Sequence, residues 1–167
     1  MIDEIRRRRS IRQYLPNPVP EESIESMLRA AMQAPTARNH QPWEFVVATK
    51  RDILERVPDY HPRSSMVPGA GAAILVCGDL RLQEEPGYLA QDCAAAVQNM
   101  LLQAVAEGLG AVWLGVYPNP DRIAGMKKLF GLPDHMLPVA LISIGVPAEE
   151  KGFEDRFSPA KIHRETW

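Results

Sequence analysis

Apolar positions recur along the chain with two periods, and each change of period marks a new element. Between Gly87 and Glu107, Leu89, Cys93, Val97, Met100, Leu101, Ala104 and Val105 return every three or four residues, which is the spacing of one broad helical face. At ~1.5 Å per residue this helix is close to 30 Å long, enough to cross a small domain. Gly108 and Gly110 end it, and Ala111–Val116 follows at once as a buried strand. Leu137–Ile144 is a nearly continuous apolar run, the pattern of a central strand covered on both faces. Trp43–Thr49, rich in aromatic and β-branched residues, and Ala72–Cys77 read as two further strands.

The helical period also appears at Ile24, Met27, Leu28 and Ala31. Pro20 suits the first position of that helix, Glu21 and Glu22 suit its positive end, and Pro35 stops it. Short helices are expected at Asp3–Arg9 and near Arg51–Arg56, separated from their neighbours by the proline-rich Leu15–Pro20 and by a loop reaching Gly71. Asn119-Pro120-Asp121 is an N-cap followed by proline, opening a helix that closes at Gly131. From Gly145 to Trp167 the chain is mostly polar with scattered Phe153, Phe157, Ile162 and Trp167, a poor recipe for a core of its own. Such a tail is expected to pack on something else, such as a second subunit. The chain shows no internal repeat or boundary, so residues 1–167 are expected to form a single domain of mixed α and β structure around one buried sheet.

Composition narrows the classes. With 19 basic and 21 acidic residues the net charge is −2, which argues against a general polyanion binder, and 46% hydrophobic residues are ample for a core without staples. Cys77 and Cys93 are too few for a disulfide framework and sit on apolar faces, so they read as buried thiols of a reducing compartment. The basic residues near the start are not followed by an apolar segment, and no run approaches a membrane span. The expectation is a cytoplasmic protein without membrane or nucleic-acid partners.

Few familiar chemical motifs survive inspection. Gly69–Ile74 runs into a strand rather than opening a helix, so it is not a dinucleotide fingerprint, and no triphosphate-binding loop is present. His40, His61, His135 and His163 lack partners at metal-ligand spacing, and no serine has a glycine elbow. Two clusters remain. Arg6-Arg7-Arg8-Arg9-Ser10-Ile11-Arg12 concentrates guanidinium groups suited to a phosphate, and in an extended chain Arg8, Ser10 and Arg12 share one face. The same run also fits a solvated helix end, or an arm for nucleic acid. Ala34-Pro35-Thr36-Ala37-Arg38-Asn39-His40-Gln41-Pro42-Trp43 is a loop of small and amide residues able to approach a flat heteroaromatic ligand. A turn capped by Asn39, with Trp43 in the core, fits that composition equally.

Taken in order, Arg8–Arg12, Ala34–Trp43, Asp92, Gln98-Asn99-Met100-Leu101-Leu102, Gly108–Gly115, Leu129–Pro133, Ile144–Pro147 and Ile162–Trp167 resemble the FMN-dependent nitroreductase family, in a short form, over essentially the whole chain. The resemblance implies an α+β fold with a central, mostly antiparallel sheet flanked by helices. It further implies a homodimer that exchanges C-terminal extensions and binds two FMN molecules at its interface. Carried onto this sequence, Arg8, Arg9 and Ser10 would meet the phosphate, ribityl chain and pyrimidine side of FMN, with Arg12 also at the flavin. Pro35, Thr36, Ala37 and Asn39 of the other subunit would line the ring, and Arg156 would reach the phosphate from the tail. Leu114, Gly115 and Val116 would run beside the flavin with one backbone N–H near N5. The family's acidic–glycine pair reads Gly115-Val116 here, which leaves open which amide that is.

The implied activity is NAD(P)H-dependent reduction of nitroaromatics, quinones or similar flat acceptors, in a ping-pong sequence at one flavin face. Hydride arriving at N5 leaves negative charge around N1 and O2, which a fixed guanidinium such as Arg12 would stabilise, so no separate catalytic acid or base and no metal is required. Three alternatives share the same FMN contacts or the same basic arm. They are a flavin-binding or storage protein without turnover, a nitroreductase-fold enzyme of another class (reductive dehalogenation or flavin fragmentation), and a nucleic-acid binder. Substrate choice would lie in Pro58–Gly71 and Arg81–Gly87, the stretches available to cover the cavity.

Overall fold

The computed structural model describes residues 1–167. Five helices and four strands follow in the order α1 (Asp3–Arg7), α2 (Glu21–Ala31), β1 (Trp43–Ala48), α3 (Arg51–Arg56), β2 (Ala72–Asp79), α4 (Pro86–Ala106), β3 (Gly110–Gly115), α5 (Pro120–Phe130) and β4 (Met136–Gly145). The strands form one sheet in the order β1-β2-β4-β3, every neighbouring pair antiparallel. This is the α+β arrangement expected from the resemblance.

The two central strands are buried on both faces, and their alternation sorts the core into two layers. Ala72, Ile74 and Val76 of β2 pack with Ile142 and Ile144 of β4 against α2 and α4. Ala73, Leu75 and Cys77 face the other way and meet Leu141, Val112 and Leu114 beneath α3 and α5. Cys77 and Cys93 are both buried free thiols, and Cys93 Sγ donates to the Cys77 carbonyl at 3.4 Å. Burial raises the Cys77 thiol to about 12 and Cys93 higher still, so neither is a ready nucleophile.

Sequence boundaries hold to within a residue or two at most elements, with physical reasons where they move. The first helix stops at Arg7 rather than Arg9, because from Arg8 onward the chain is extended and Ser10 bridges Ala111 at the edge of β3. Pro20 is the N-cap rather than the first helical residue, and α2 ends at Ala31, where Gln33 and Ala34 close tighter three-residue turns before Pro35 is reached. Asn119 accepts from the Arg122 amide at 3.0 Å, and Gly131 closes α5 in the left-handed conformation (φ 64°). No helix is long and apolar enough to cross a membrane.

Two glycines fix where the basic segment lies. A Cβ on Gly110 would stand 2.6 Å from Ile11, and one on Gly145 would stand 2.8 Å from Tyr14. Bare backbone at these strand ends therefore lets residues 10–15 lie flat against β3 and β4. Ile11 N–H donates to Ala111, Leu15 N–H to Val146, and Ala148 N–H to Gln13. The Tyr14 hydroxyl lies between the Ile11 and Ser143 carbonyls, at 2.8 and 3.2 Å. Residues 147–153 thus pack beside the N-terminal segment of the same chain, whereas beyond Lys151 only Ser158 is even partly covered.

A candidate flavin site along the edge of strand β3

The extended segment divides its side chains. Arg7, Arg9 and Ile11 line a groove of about 720 Å³ between this segment, the end of α4 and Pro147–Phe153. Alternation turns Arg8, Ser10 and Arg12 away from that groove, so these three share a face, as the sequence expected. Arg9 instead serves the tail. Its Nε donates to the Gly152 carbonyl at 2.7 Å, its guanidinium lies 5.6 Å from the centre of the Phe153 ring, and its second terminal nitrogen is buried without a partner. Arg12 donates its backbone N–H to Glu149 at 2.6 Å, and its guanidinium has only a 3.5 Å contact with the Ser10 carbonyl. Lys151 Nζ takes the Ser10 carbonyl at 2.6 Å and pairs with Glu149. These neighbours hold the Glu149 carboxyl below its ordinary value, first through the Arg12 amide.

Arg8 is half-buried and lies within electrostatic reach of both Arg9 and Arg156. Burial and then those two cations hold its pKa below the ordinary arginine value, the signature of cations gathered without enough negative charge between them. The acid at hand is Glu154, which pairs with Arg156 at 2.8 Å and is itself pulled down, chiefly by that bond. A half-buried Arg8 with no acidic partner of its own, close to a second arginine, is an arrangement that an oxyanion completes.

From Ala111 the free edge of β3 continues toward Gly115. Gly115 stands opposite Ala140, and the next amide, Val116 N–H, donates back to Val139 at 3.0 Å. In an antiparallel ladder this makes Gly115 a non-hydrogen-bonded pair, with both its backbone groups on the open side. Its carbonyl is taken there by His61 Nε2 at 3.0 Å and by Arg122 at 2.9 Å, while its N–H faces the edge that no strand covers. The two amides that the sequence left open are thereby distinguished, because Val116 N–H is spent inside the sheet and the Val116 and Leu114 side chains are core. A Cβ on Gly115 would meet nothing within 4 Å, so the chain itself leaves that space empty.

The loop before β1 is strained. Arg38, Asn39 and Gln41 have φ of 52°, 58° and 49°, a conformation that side chains other than glycine adopt at a cost of roughly 1–3 kcal/mol each, less for asparagine. Asp92 of α4 holds it by accepting the Ala37 N–H at 2.8 Å, and Thr36 Oγ1 accepts the Gln41 N–H at 3.0 Å. Asn39 Oδ1 takes a contact from Gln41 at 3.2 Å, so the capped-turn reading is met in part, although Trp43 is only half-buried and its indole nitrogen has no partner. Pro35 and Asn39 are exposed, and Thr36 and Ala37 half-exposed, so the loop presents all four expected residues to its surroundings.

One chain does not bring these parts together. Asp92 and Gly108, near opposite ends of α4, stand about 24 Å apart at the helical rise of 1.5 Å per residue. The strained loop sits at the Asp92 end and leads into edge strand β1, whereas Arg7, Arg9 and Gly108 line one groove beside β3, the opposite edge. Arg8, Ser10, Arg12, Arg156 and Gly115 lie along the β3 edge, and Pro35, Thr36, Ala37 and Asn39 lie apart from them in the strained loop. In the sequence Asp92 stands in the resemblance without a task, His61 only as a histidine lacking metal-ligand partners, and Arg122 and Lys151 in no motif at all. Asp92 alone carried a signal, being an acid on the apolar stripe of the long helix.

A helix-flanked antiparallel sheet with this strand order has known relatives. The family model "Nitroreductase family" matches residues 5–62 and 59–146. Over 167 residues the chain is 47% identical to a protein of Methanothermobacter thermautotrophicus with the provisional name NADH dehydrogenase/NAD(P)H nitroreductase, covering 100% of this chain and 87% of that one. A Parabacteroides distasonis crystal structure of the same provisional name superposes with a TM-score of 0.95 at 39% identity, covering 99% and 97% of the two chains. A provisionally named nitroreductase of Desulfovibrio desulfuricans, solved in complex with FMN, gives 0.82 at 34% identity over 97% and 94%. The chain belongs to the nitroreductase family.

Proposed function

We infer that the protein is an FMN-dependent oxidoreductase that takes electrons from NAD(P)H and passes them to nitroaromatic, quinone-like or similarly flat acceptors, working as a homodimer. The observation that carries this reading is the β3 edge itself, with Arg8 lacking an acidic partner of its own beside the Arg156–Glu154 pair at one end and the Gly115 N–H beside open space at the other. Ala111 and Gly115 are about 14 Å apart along the strand, the span of an extended molecule with a phosphate at one end and a flat ring at the other. FMN supplies two-electron redox chemistry through its ring.

The chain's own contribution is placement and charge. Arg8 and Arg156 would hold the phosphate and Ser10 would add a hydroxyl beside the ribityl chain, while Arg9 keeps the tail seated by its bond to Gly152. Arg12, turned to the same face as Arg8, places a guanidinium where the ring gains negative charge. Gly115 N–H would be the donor to the ring's reacting nitrogen. Pro35, Thr36, Ala37 and Asn39 of a second copy close over the ring, held rigid by the partner copy of the Asp92 contact. A quinone or nitro acceptor takes up a proton with each hydride, and with no catalytic acid assigned to this chain that proton would come from solvent.

Steady-state kinetics tests the reading. With NADH or NADPH varied at several fixed concentrations of a quinone, parallel double-reciprocal lines are expected. Intersecting lines would contradict the shared face, and no oxidation of either nucleotide by any acceptor would leave a flavin-binding protein without turnover.

A further inference from the structure

His61 and Arg122 come from elements that sequence gives no reason to link to Gly115, yet both end on its carbonyl. His61 is buried, and its Nε2 lies 3.0 Å from the Gly115 oxygen. Its other nitrogen, Nδ1, accepts the Arg63 N–H at 3.3 Å, which assigns the proton to Nε2 and makes that nitrogen a donor. Arg122, in the first turn of α5, donates to the same oxygen at 2.9 Å and has no acidic partner among the ion pairs. Both acceptor positions of that carbonyl are therefore filled, one by a cation, at the residue with the most backbone freedom.

The consequence concerns the amide one bond earlier. The peptide joining Gly115 and Val116 is gripped at its oxygen by His61 and Arg122 and at its nitrogen by Val139. With that plane fixed, rotation about the Gly115 backbone is restrained and the Gly115 N–H stays aimed along the open edge. A strand end held only by its last ladder bond would fray, and the amide would sample many directions. Packing alone does not call for the arrangement, since a neutral side chain would fill the same volume without a charged donor.

We propose that His61 and Arg122 are positioning residues for the redox reaction, holding the Gly115 peptide so that its N–H points at the reacting nitrogen of the bound flavin. The proposal rests on the reading that FMN lies along the β3 edge. A fixed donor at that nitrogen makes it a better hydride acceptor, and the gain depends on the donor being aimed before the reaction begins.

The test uses the full-length, FMN-loaded dimer and three variants: Arg122→Ala, Arg122→Lys, and His61→Gln, which keeps an N–H donor near the Nε2 position. Each is followed by melting temperature, by FMN affinity, by the anaerobic rate of flavin bleaching on mixing with NADH or NADPH, and by the change in the Gly115 ¹⁵N–¹H resonance when FMN is added. For Arg122→Ala, FMN affinity should stay within about threefold while the bleaching rate falls about tenfold and the Gly115 resonance moves less than half as far. Arg122→Lys and His61→Gln should each recover most of the rate. Wild-type rate and resonance change in Arg122→Ala would overturn the proposal, as would lysine failing as badly as alanine with a collapsed melting temperature, because the role would then be packing. A wild-type protein that takes up FMN without moving the Gly115 resonance overturns this inference alone. One that takes up no FMN overturns the functional reading beneath it.

Discussion

Strand β4 and the segment Lys151–Trp167 both carry large apolar side chains, but their fates differ completely. Every residue from Leu137 to Gly145 is buried, whereas Phe157 is 73% exposed and Trp167 is 99% exposed. The strand is completed by its own chain, with β2 on one side and β3 on the other and helices over both faces. The tail is anchored by Arg9 at Gly152 and Phe153 and then runs out with its apolar residues unburied and Arg156 beside Arg8. Leaving such side chains in water forgoes roughly 1.5–3 kcal/mol for each one that could be fully buried. The contrast therefore separates a body that one chain stabilises from a tail that one chain leaves uncovered, as the proposed two-chain site requires.

The strongest way to break that comparison is to remove the tail. A chain ending at Gly152 should keep the melting temperature of the body within a few degrees, behave as a monomer in light scattering, and lose FMN affinity by about a hundredfold or more. A truncated chain that stays dimeric and yellow would show that the tail is ornamental. Next in size is Arg8→Ala. Fluorescence titration should show FMN binding weaker by about 1.5–3 kcal/mol, roughly ten- to a hundredfold, while the FMN-free protein melts no lower than wild type because a crowded cation has been removed. A lower melting temperature in that state would mean that Arg8 serves the fold rather than the ligand.

Asp92→Ala tests the strained loop in the same way. It strands the Ala37 N–H and releases a strained loop, so urea unfolding should report a loss of about 1–3 kcal/mol, with less for Asp92→Asn. Arg12→Ala should slow flavin bleaching by NAD(P)H more than it weakens FMN binding, and equal losses in the two would contradict a charge-stabilising role. The smallest effect belongs to the body. The Arg81 guanidinium holds the Asp79 carboxyl down at about 2, below its ordinary value of 3.8. Because the folded pKa is the lower one, this pairing stabilises the fold above about pH 4, and that contribution fades as pH falls toward 2. Asp79→Asn should flatten the melting-temperature profile in that window and leave FMN binding unchanged.

The same contrast explains what sequence could reveal. Elements governed by local pattern were legible: the apolar run at Leu137–Ile144, the stripe on the long helix, and the Asn119 and Gly131 caps, each set by neighbours a few residues away. The basic run and the loop were legible as clusters, and their order carried the family resemblance. The phase of the strand at Arg8–Arg12 depends on Ile11 docking over Gly110, about a hundred residues distant, so Arg9 turning to the tail was not legible. Left-handed backbone at Arg38 and Gln41 was hidden because neither residue advertises it, and the strain is held by Asp92 from α4. His61 reached Gly115 across 54 residues with no motif to announce it.

Two copies of this chain are expected to complete an FMN site that one copy only begins. The most direct test is light scattering with simultaneous visible absorbance on the purified protein, followed by identification of the pigment released on heating. A particle of twice the chain mass carrying one FMN per chain is expected. A monomer that holds FMN at full stoichiometry, or a dimer that stays colourless in excess FMN, would contradict it.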